Sequence, residues 1–565
     1  MRVSFLILFM FSFLACKQEV KTSNISTEVL SDEKKAMVVS ARKEASDIGI
    51  EIMRKGGNAF DAMVATDMAL AVCFPFAGNV GGGGFMVYRL NNGEVGSLDY
   101  REKAPKAANE KMYQDENGEL IPGLSTEGAL AVGIPGTVAG MYEAHKEFGN
   151  LRWGDVVQPA IDLALNGFVV TEKQAGMLNA SQALFTQVNK EKILFDKVWK
   201  AGDTIKQPNL AETLRAIQRT NGRDFYEGDI AQRMVDFIQD NGGIITMEDM
   251  KSYKPVWRKP IDFTFKDFKV YTMGPPSSGG IVLGQILKTL EHYPIDSMKH
   301  NSTEYVQLIT EIERRAYADR AHHLGDPDYV KVPIDQMMSE DYLMERMKLY
   351  SPNKATSSAD ITHGNITWSE SDETTHYSIV DEEGNAIAVT TTINGAYGSK
   401  LYSNDLGFFL NNEMDDFSAK PGFPNMFGLV GGEANKIEPE KRMLSSMTPT
   451  IVTKADELYL VLGTPGGSTI ITTVLQTILN KTIFDMPIDE AVAAPRFHHQ
   501  WLPDEIMMEP NGFSEEIVTE LKKMGYTIAE RDNVILGKMD AIYRNENGGL
   551  EGGADPRGDD SVSSY

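Results

Sequence analysis

The segment from residue 376 to residue 392 constrains the fold more than any other part of this 565-residue chain. It has the pattern of a β-hairpin, with strand-forming residues at 376–380 and 386–392 and a polar turn at 381–385. A third strand is predicted at 458–463, followed by a turn with Gly466 and Gly467 and a helix that ends near Leu479. Strands mixed with long helices predict a layered α+β or α/β protein.

Thr374 stands just before the predicted hairpin and offers a hydroxyl group. Backbone N–H groups at Gly466 and Gly467 could stabilise an oxyanion, so the two sites together contain the parts of an acyl-transfer enzyme. Each feature also has an ordinary structural explanation, because threonine is common in strands and glycine is common in turns. These residues alone therefore leave the function open.

Length and composition exclude some classes of protein. Length alone favours about three or four domains, at roughly 150 residues for each domain. A hydrophobic content of 42% and a charged content of 24% are typical of soluble globular proteins. The formal net charge of −25 argues against a nucleic-acid partner, which would require clustered Lys and Arg.

The N-terminus has the pattern of an export signal. Arg2 precedes an apolar run at 5–14 that is too short for a membrane-spanning helix. The sequence Phe13-Leu14-Ala15-Cys16 resembles a bacterial lipobox, although the usual Leu lies one place late, so ordinary secretion stays open. We predict a signal peptide at 1–15, a tether at 16–36 and an exported periplasmic or cell-envelope protein, lipid-anchored at Cys16.

Further local predictions concern four segments. Residues 44–72 are predicted to be helical with a break at Gly56-Gly57, and the glycines at 81–84 to form a tight loop. The polar residues 351–373 have the composition of a flexible surface segment. Cys73, in an apolar run, is predicted to be buried.

The chain contains an ordered set of longer motifs. They are Gly-Asn-Val-Gly-Gly-Gly-Gly (78–84), Asp-Tyr-Arg-Glu (99–102), Tyr-Ala-Asp-Arg (317–320), Gly-Asp-Pro (325–327), Leu-Asn-Asn-Glu-Met-Asp-Asp-Phe (410–417), Leu-Ser-Ser-Met (444–447), Gly-Thr-Pro-Gly-Gly-Ser (463–468) and Pro-Arg-Phe-His-His-Gln (495–500). In this order they resemble one family, γ-glutamyltransferase (γ-glutamyltranspeptidase), from about residue 37 to the C-terminus. A single motif would not identify the family, whereas the ordered set is highly specific.

The resemblance implies an N-terminal-nucleophile hydrolase with a four-layer αββα core. The precursor is expected to cut its own Glu373–Thr374 bond into a large subunit (37–373) and a small subunit (374–565) that stay together as a heterodimer. The new α-amino group, with an ordinary pKa of about 7.7–8.0, would then serve as the base beside the Thr374 hydroxyl.

The resemblance also implies a role for each site residue. Thr374 is the expected nucleophile, Thr392 orients it, and Gly466 and Gly467 bind the oxyanion. The α-carboxylate of a γ-glutamyl group is expected to contact Arg101, Ser445 and Ser446, and its α-ammonium Asn394, Glu413 and Asp416. No cofactor or metal is expected. His376 is interpreted as structural, since the amine of Thr374 supplies the base.

Residues 421–432 match the lid loop over the glutamyl site of bacterial members. Phe427 stands where relatives carry Tyr, so we hypothesise a looser lid that lacks one hydrogen bond.

The resemblance predicts an enzyme that transfers the γ-glutamyl group of glutathione, or of a related γ-glutamyl compound, to water, an amino acid or a peptide. Two alternatives stay open. A cephalosporin or glutaryl acylase shares this fold and self-cleavage but needs no α-ammonium contacts. A non-catalytic exported binding lipoprotein would keep the scaffold and would not cleave itself.

Overall fold

The computed structural model of the protein describes residues 34–361, 374–529 and 534–565. Cys16 and Glu373 lie outside the described residues. Two large sheets stack face to face, and helices cover the outer face of each.

The strands are short and antiparallel wherever they pair within the two large sheets. They are β1 (Met37–Ser40), β2 (Gly83–Arg89), β3 (Val95–Asp99), β4 (Phe168–Val169), β5 (Thr204–Ile205), β6 (Val256–Arg258), β7 (Ile261–Phe265), β8 (Phe268–Thr272), β9 (Thr375–Val380), β10 (Ala386–Thr392), β11 (Tyr402–Ser403), β12 (Phe408–Phe409), β13 (Thr450–Lys454), β14 (Glu457–Gly463), β15 (Phe497–His498), β16 (Met507–Met508), β17 (Asp540–Arg544), β18 (Leu550–Ala554) and β19 (Ser561–Ser564).

The helices are α1 (Lys43–Arg54), α2 (Ala59–Cys73), α3 (Thr137–Phe148), α4 (Trp153–Asn166), α5 (Glu172–Ala180), α6 (Gln182–Val188), α7 (Pro208–Thr220), α8 (Asp224–Glu227), α9 (Asp229–Asp240), α10 (Met247–Ser252), α11 (Gly279–Leu290), α12 (Thr303–His323), α13 (Ile334–Met337), α14 (Glu340–Arg346), α15 (Ile470–Thr482), α16 (Ile488–Ala493) and α17 (Glu515–Met524). Within the described ranges, no helix has both the length and the apolar character needed to cross a membrane.

The first sheet has the order β19-β1-β9-β10-β2-β3-β6, and the second has the order β18-β17-β14-β13-β8-β7. Each sheet combines strands from before and after residue 374. Residues 34–565 therefore form one unit, and the several domains expected from length alone are not found there.

Successive side chains of a strand point to opposite faces of the sheet and therefore pack into different layers of the core. In β10, Ile387 and Val389 pack with the helices α1 and α2, whereas Ala386 and Ala388 face the second sheet. This alternation follows from the two-residue period of a strand. Helices α11, α12 and α15 cover the outer face of the second sheet. The predicted four-layer αββα arrangement is confirmed.

Most local predictions agree with the structure. The hairpin and the third strand are confirmed to within one residue, residues 44–72 form α1 and α2, and Cys73 is buried. The described part of segment 351–373 differs from the prediction, because Ser358 and Ile361 are buried. Their carbonyl groups accept hydrogen bonds from Trp501 Nε1 at 3.2 and 3.1 Å.

The layer between the two sheets should respond strongly to the loss of side-chain volume. Ile451 of β13 is fully buried there, so we expect Ile451→Ala to lower the free energy of unfolding by roughly 2–5 kcal/mol, from lost burial and the cavity left behind. Denaturant titration measures this change. Val198→Ala, at a side chain that is 75% exposed, is the control and should change it by less than about 0.5 kcal/mol. Equal effects would contradict the assigned core.

Candidate active site

Thr374 lies immediately before β9 and next to the end of β10. The pairs Thr375–Thr391 and His376–Thr390 set the register of the two strands, and one further step places Thr374 opposite Thr392. Both threonines are buried, and both line one cavity of about 290 Å³. The hairpin therefore brings two predicted site hydroxyls to the same cavity.

The cavity also brings together most of the other predicted site residues, from segments far apart in the chain. Its further lining residues include Arg101, Asn394, Asp416, Phe427, Ser445, Ser446 and Gly467. Two predicted residues do not line it. Glu413 lies behind Arg101, which it contacts, and Gly466 is adjacent in the chain to Gly467.

The turn after β14 requires its two glycines. Gly466 and Gly467 have φ angles of +136° and +51°, which L side chains rarely adopt. A Cβ atom on Gly466 would lie 2.5 Å from Thr469 Oγ1, and one on Gly467 would lie 2.5 Å from Phe427 Cδ1. The backbone can therefore approach the cavity closely only with glycine at both positions.

Arg101 is almost fully buried, and its guanidinium group is surrounded by carboxyl groups. Its Nη1 lies 2.5 Å from Glu413 Oε2 and 3.8 Å from Glu102 Oε2, and its Nη2 donates to Asp416 Oδ2. Burial by itself lowers the pKa of Arg101, but Glu413 and Asp416 outweigh it and raise that pKa above its ordinary value. Arg101 therefore stays protonated and anchors the acidic side chains.

The three carboxyl groups hold protons more tightly than exposed ones would. Burial raises the pKa of Glu102 to about 8, against the opposing effect of Arg101. Burial also raises the pKa values of Glu413 and Asp416, and the neighbouring carboxylates raise that of Glu413 further. Of the three, Asp416 lines the cavity, so its carboxyl is the one placed to contact a ligand cation such as an ammonium group.

Arg101 connects the two groups of predicted binding residues. The sequence groups Arg101 with Ser445 and Ser446, and Glu413 and Asp416 with Asn394. In the structure Arg101 contacts both Glu413 and Asp416, so its side chain is shared between the two groups.

Arg320 was missed by the sequence interpretation. It lies on α12 and lines the cavity, and its Nε and Nη2 atoms donate to the hydroxyls of Ser278 and Ser446 at 2.9 and 3.1 Å. Arg320 belongs to the Tyr-Ala-Asp-Arg motif at 317–320, which could have marked it as a site residue. No local pattern, however, distinguishes an arginine that lines a cavity from one on a solvent-exposed helix face.

The lid segment 421–432 is attached to the acidic residues of the site. Asn425 Nδ2 donates to Asp416 Oδ1 at 3.0 Å, and the Met426 N–H donates to Asp415 Oδ2 at 2.8 Å. The Phe427 side chain is buried against Gly467. The lid and the glycine turn are therefore in direct contact.

His376 has a structural environment, as interpreted from the sequence. Its buried ring lies within hydrogen-bond distance of the hydroxyls of Thr390 and Ser378, at 2.9 and 3.1 Å. Burial lowers its pKa to about 3, so the ring is neutral at neutral pH. Across the ranges that the structure describes, no group of three or more His, Cys, Asp or Glu is arranged to bind a metal ion.

Comparison with known proteins supplies the family. The profile described as Gamma-glutamyltranspeptidase matches residues 45–565. The chain belongs to the γ-glutamyltranspeptidase family. The Glutathione hydrolase proenzyme of Escherichia coli (strain K12) is 44% identical over 537 residues, which cover 94% of this chain and 92% of that relative.

Solved structures agree with this membership and also include an acylase. Cephalosporin acylase from Bacillus halodurans aligns with a TM-score of 0.82 at 25% identity and covers 94% of this chain and 96% of its own. The γ-glutamyltranspeptidase of Helicobacter pylori aligns with a TM-score of 0.56 at 40% identity and covers 57% of this chain and 94% of its own. A γ-glutamyltranspeptidase and an acylase therefore both align with the backbone of this chain.

The low pKa of His376 predicts a contribution to acid sensitivity. Its ordinary value is about 6.5, so between that pH and about 3 the ring binds a proton in the unfolded chain and not in the folded protein. The contribution of His376 to the free energy of unfolding should therefore fall as pH falls through this window, while buried carboxyl groups with raised pKa values, such as Glu102, contribute with the opposite sign. We expect His376→Gln to reduce the slope of the free energy of unfolding against pH without abolishing the histidine contribution, because burial also lowers the pKa of His499, to about 4.

Denaturant titrations across this pH window measure the slope. His292→Gln, at a ring that is 33% exposed, is the control and should leave the slope unchanged. A slope that is the same in wild type and His376→Gln would contradict the assignment.

Proposed function

We propose that this chain is a γ-glutamyltransferase precursor with glutathione hydrolase activity, and that it cuts itself at Glu373–Thr374. One observation carries the proposal. Thr374 heads a buried strand at a cavity whose other walls include two guanidinium groups, the Asp416 carboxyl and Gly467 of the two-glycine turn. The 44% identity to a Glutathione hydrolase proenzyme supports the substrate class.

Self-cleavage follows from the position of the Thr374 hydroxyl. When its oxygen attacks the preceding carbonyl, the amide between residues 373 and 374 breaks and an ester forms. Water then hydrolyses that ester, leaving a carboxylate on Glu373 and a free α-amine on Thr374. The same hydroxyl then has an amine beside it that accepts its proton.

Turnover uses the same oxygen. The amine takes the hydroxyl proton, the oxygen attacks the γ-carbonyl of the donor, and the leaving amine departs with a proton. The γ-glutamyl group of the ester on Thr374 is then transferred to water, an amino acid or a peptide. Thr392 orients the nucleophile, and the Gly466 and Gly467 N–H groups stabilise the oxyanion.

The Thr392 hydroxyl is suited to its proposed role. It accepts a hydrogen bond from the Asn394 N–H at 2.8 Å, which leaves its own proton to donate toward the cavity. Asn394 itself has a φ angle of +68°, a conformation in which asparagine is over-represented. This turn at the end of β10 brings the Asn394 side chain to the cavity wall.

The γ-glutamyl head is a zwitterion, and both of its charges find a counterpart. The α-ammonium would contact Asp416, Glu413 and Asn394, and the α-carboxylate would contact Arg101, Ser445 and Ser446.

The acylase alternative fits these contacts less well. Its substrates need no α-ammonium contacts, and the acylase of known structure is 25% identical to this chain, against 44% for the Escherichia coli relative. A non-catalytic binding lipoprotein would not need the hydroxyl at Thr374 beside that of Thr392.

Cleavage would leave subunits of residues 37–373 and 374–565 that stay associated. In the first sheet β9 and β10 lie between β1 and β2, and in the second β13 lies between β8 and β14. The ladder hydrogen bonds of both sheets would therefore hold the heterodimer together after the cut.

The N-terminal segment supports a proposed location. Arg2, the apolar run at 5–14 and Cys16 favour export to the periplasm or cell envelope with a lipid on Cys16. The remaining alternative is secretion without a lipid.

We expect wild-type protein to separate into two chains, the smaller beginning at Thr374, and Thr374→Ala to stay uncut and inactive, because it lacks the attacking oxygen. Intact mass and N-terminal sequencing measure the cut, and release of cysteinylglycine from glutathione measures activity. Thr375→Ala is the matched control. It removes a neighbouring buried hydroxyl, and we expect it to cut normally.

An uncut wild-type chain after long incubation would favour the binding-protein alternative. Cleaved protein that does not release cysteinylglycine from glutathione, yet hydrolyses a glutaryl amide, would favour the acylase alternative. The large-chain mass from the same sample reports whether it begins at a lipid-modified Cys16.

The lid hypothesis gives a separate prediction. Phe427→Tyr adds a hydroxyl that can hydrogen-bond across the closed lid and exclude water, so we expect the ratio of transfer to hydrolysis to rise by roughly twofold to tenfold. Phe423→Tyr, on the same loop at a side chain that is 37% exposed, is the control. An unchanged ratio in Phe427→Tyr would refute the looser-lid hypothesis.

A further inference from the structure

Arg320 brings a second buried guanidinium group to the cavity. It lies near the end of α12 and is 4% exposed. Burial lowers its pKa to about 10, although Tyr317 and Asp416 act in the opposite direction. Arg320 is therefore still a cation at neutral pH.

Its partners differ from those of other buried arginines. Arg101, Arg442 and Arg496 each have a carboxylate oxygen within 4.0 Å. In the part of the chain that the structure describes, Arg320 has no carboxylate oxygen within that distance, and its recorded hydrogen bonds go to serine hydroxyls. Asp416 acts on Arg320 only from beyond direct contact, so an anionic ligand in the adjacent cavity would stabilise this buried cation further.

The hydrogen bond to Ser446 orients a donor toward the cavity. Arg320 Nη2 donates to Ser446 Oγ at 3.1 Å. A guanidinium group only donates, so Ser446 Oγ is the acceptor in this contact and must direct its own proton elsewhere. Ser446 lines the cavity, and its proton is available to a carboxylate there.

Arg320 is also linked to Ser445, through the hydroxyl of Ser278. Arg320 Nε donates to Ser278 Oγ at 2.9 Å, and Ser278 Oγ donates to the Ser445 carbonyl at 2.7 Å. The Ser445 hydroxyl accepts from the Met447 N–H at 3.1 Å, which leaves its proton free to donate as well. Arg320 thus links Ser278, just before α11, to the one loop that carries Ser445 and Ser446.

We infer that Arg320 is a positioning and specificity residue for the α-carboxylate of the donor, acting through Ser446 and Ser278 and supplying the positive charge that Arg101, occupied by Glu413 and Asp416, cannot supply alone. This inference rests on the proposed function. It places a guanidinium group that has no directly contacting carboxylate beside Ser446, while Arg101 is occupied by its acidic neighbours.

Two donors separate this role from a general structural one. γ-Glutamyl p-nitroanilide carries the α-carboxylate, and γ-aminobutyryl p-nitroanilide has the same amine and acyl chain without it. We expect Arg320→Gln to raise KM for the first donor by roughly 10-fold to 100-fold, the range of a hydrogen bond to a charged group. We expect kcat for this donor, and KM for the second donor, to change by less than about threefold.

Two further variants control the experiment. Arg320→Lys retains the charge but cannot bridge Ser278 and Ser446 together, so its KM should lie between wild type and Arg320→Gln. Arg89→Gln removes another buried guanidinium group, one that donates to the Asp456 carbonyl, and should leave both KM values unchanged. Competitive inhibition by glutamate and by γ-aminobutyrate gives the same comparison independently of turnover.

Each outcome either supports or contradicts the role of Arg320. A selective rise in KM for the carboxylated donor supports it, while equal changes for both donors, or no change, overturn it. If both Arg320 variants stay uncut while Arg89→Gln is cut, Arg320 serves folding and the inference also fails. A wild-type protein that neither cuts itself nor uses the γ-glutamyl donor would refute the proposed function instead.

Discussion

The pairing of β9 with β10 and β1 is the interaction on which the rest of the structure depends. It places β9 inside a seven-stranded sheet, and its register sets Thr374 opposite Thr392. A slip of one residue would turn Ile387 and Val389 away from the helices, so burial on both faces of the sheet enforces the register. The same ladder joins strands from both sides of residue 374, which allows a cut there without separation of the two parts.

Charge is distributed unevenly around the cavity that this pairing creates. Three buried carboxyl groups surround Arg101, while Arg320 contacts serine hydroxyls. Asp416 acts on both guanidinium groups and lines the cavity with them. Because charges are weakly screened in a buried environment, a ligand that carries both an ammonium and a carboxylate group can use both kinds of side chain.

The backbone scaffold does not determine the substrate. The acylase from Bacillus halodurans has a similar backbone, with a TM-score of 0.82, so specificity must come from the side chains that line the cavity. The contact of Phe427 with Gly467 illustrates how closely these elements fit. A side chain at Gly467 would displace the lid, and a displaced lid would admit water to the acyl intermediate.

The sequence by itself determined the hairpin, the glycine turn after β14 and the family, because these depend on local alternation, backbone freedom and ordered motifs. It also indicated most of the cavity residues, through resemblance to the family. Only the tertiary structure decided that Glu102, Glu413 and Asp416 share Arg101, and that Arg320 faces Ser446. Except for Glu102, which follows Arg101 in the chain, these contacts join segments separated by more than a hundred residues. The shifted pKa values arise from burial, which no local pattern contains.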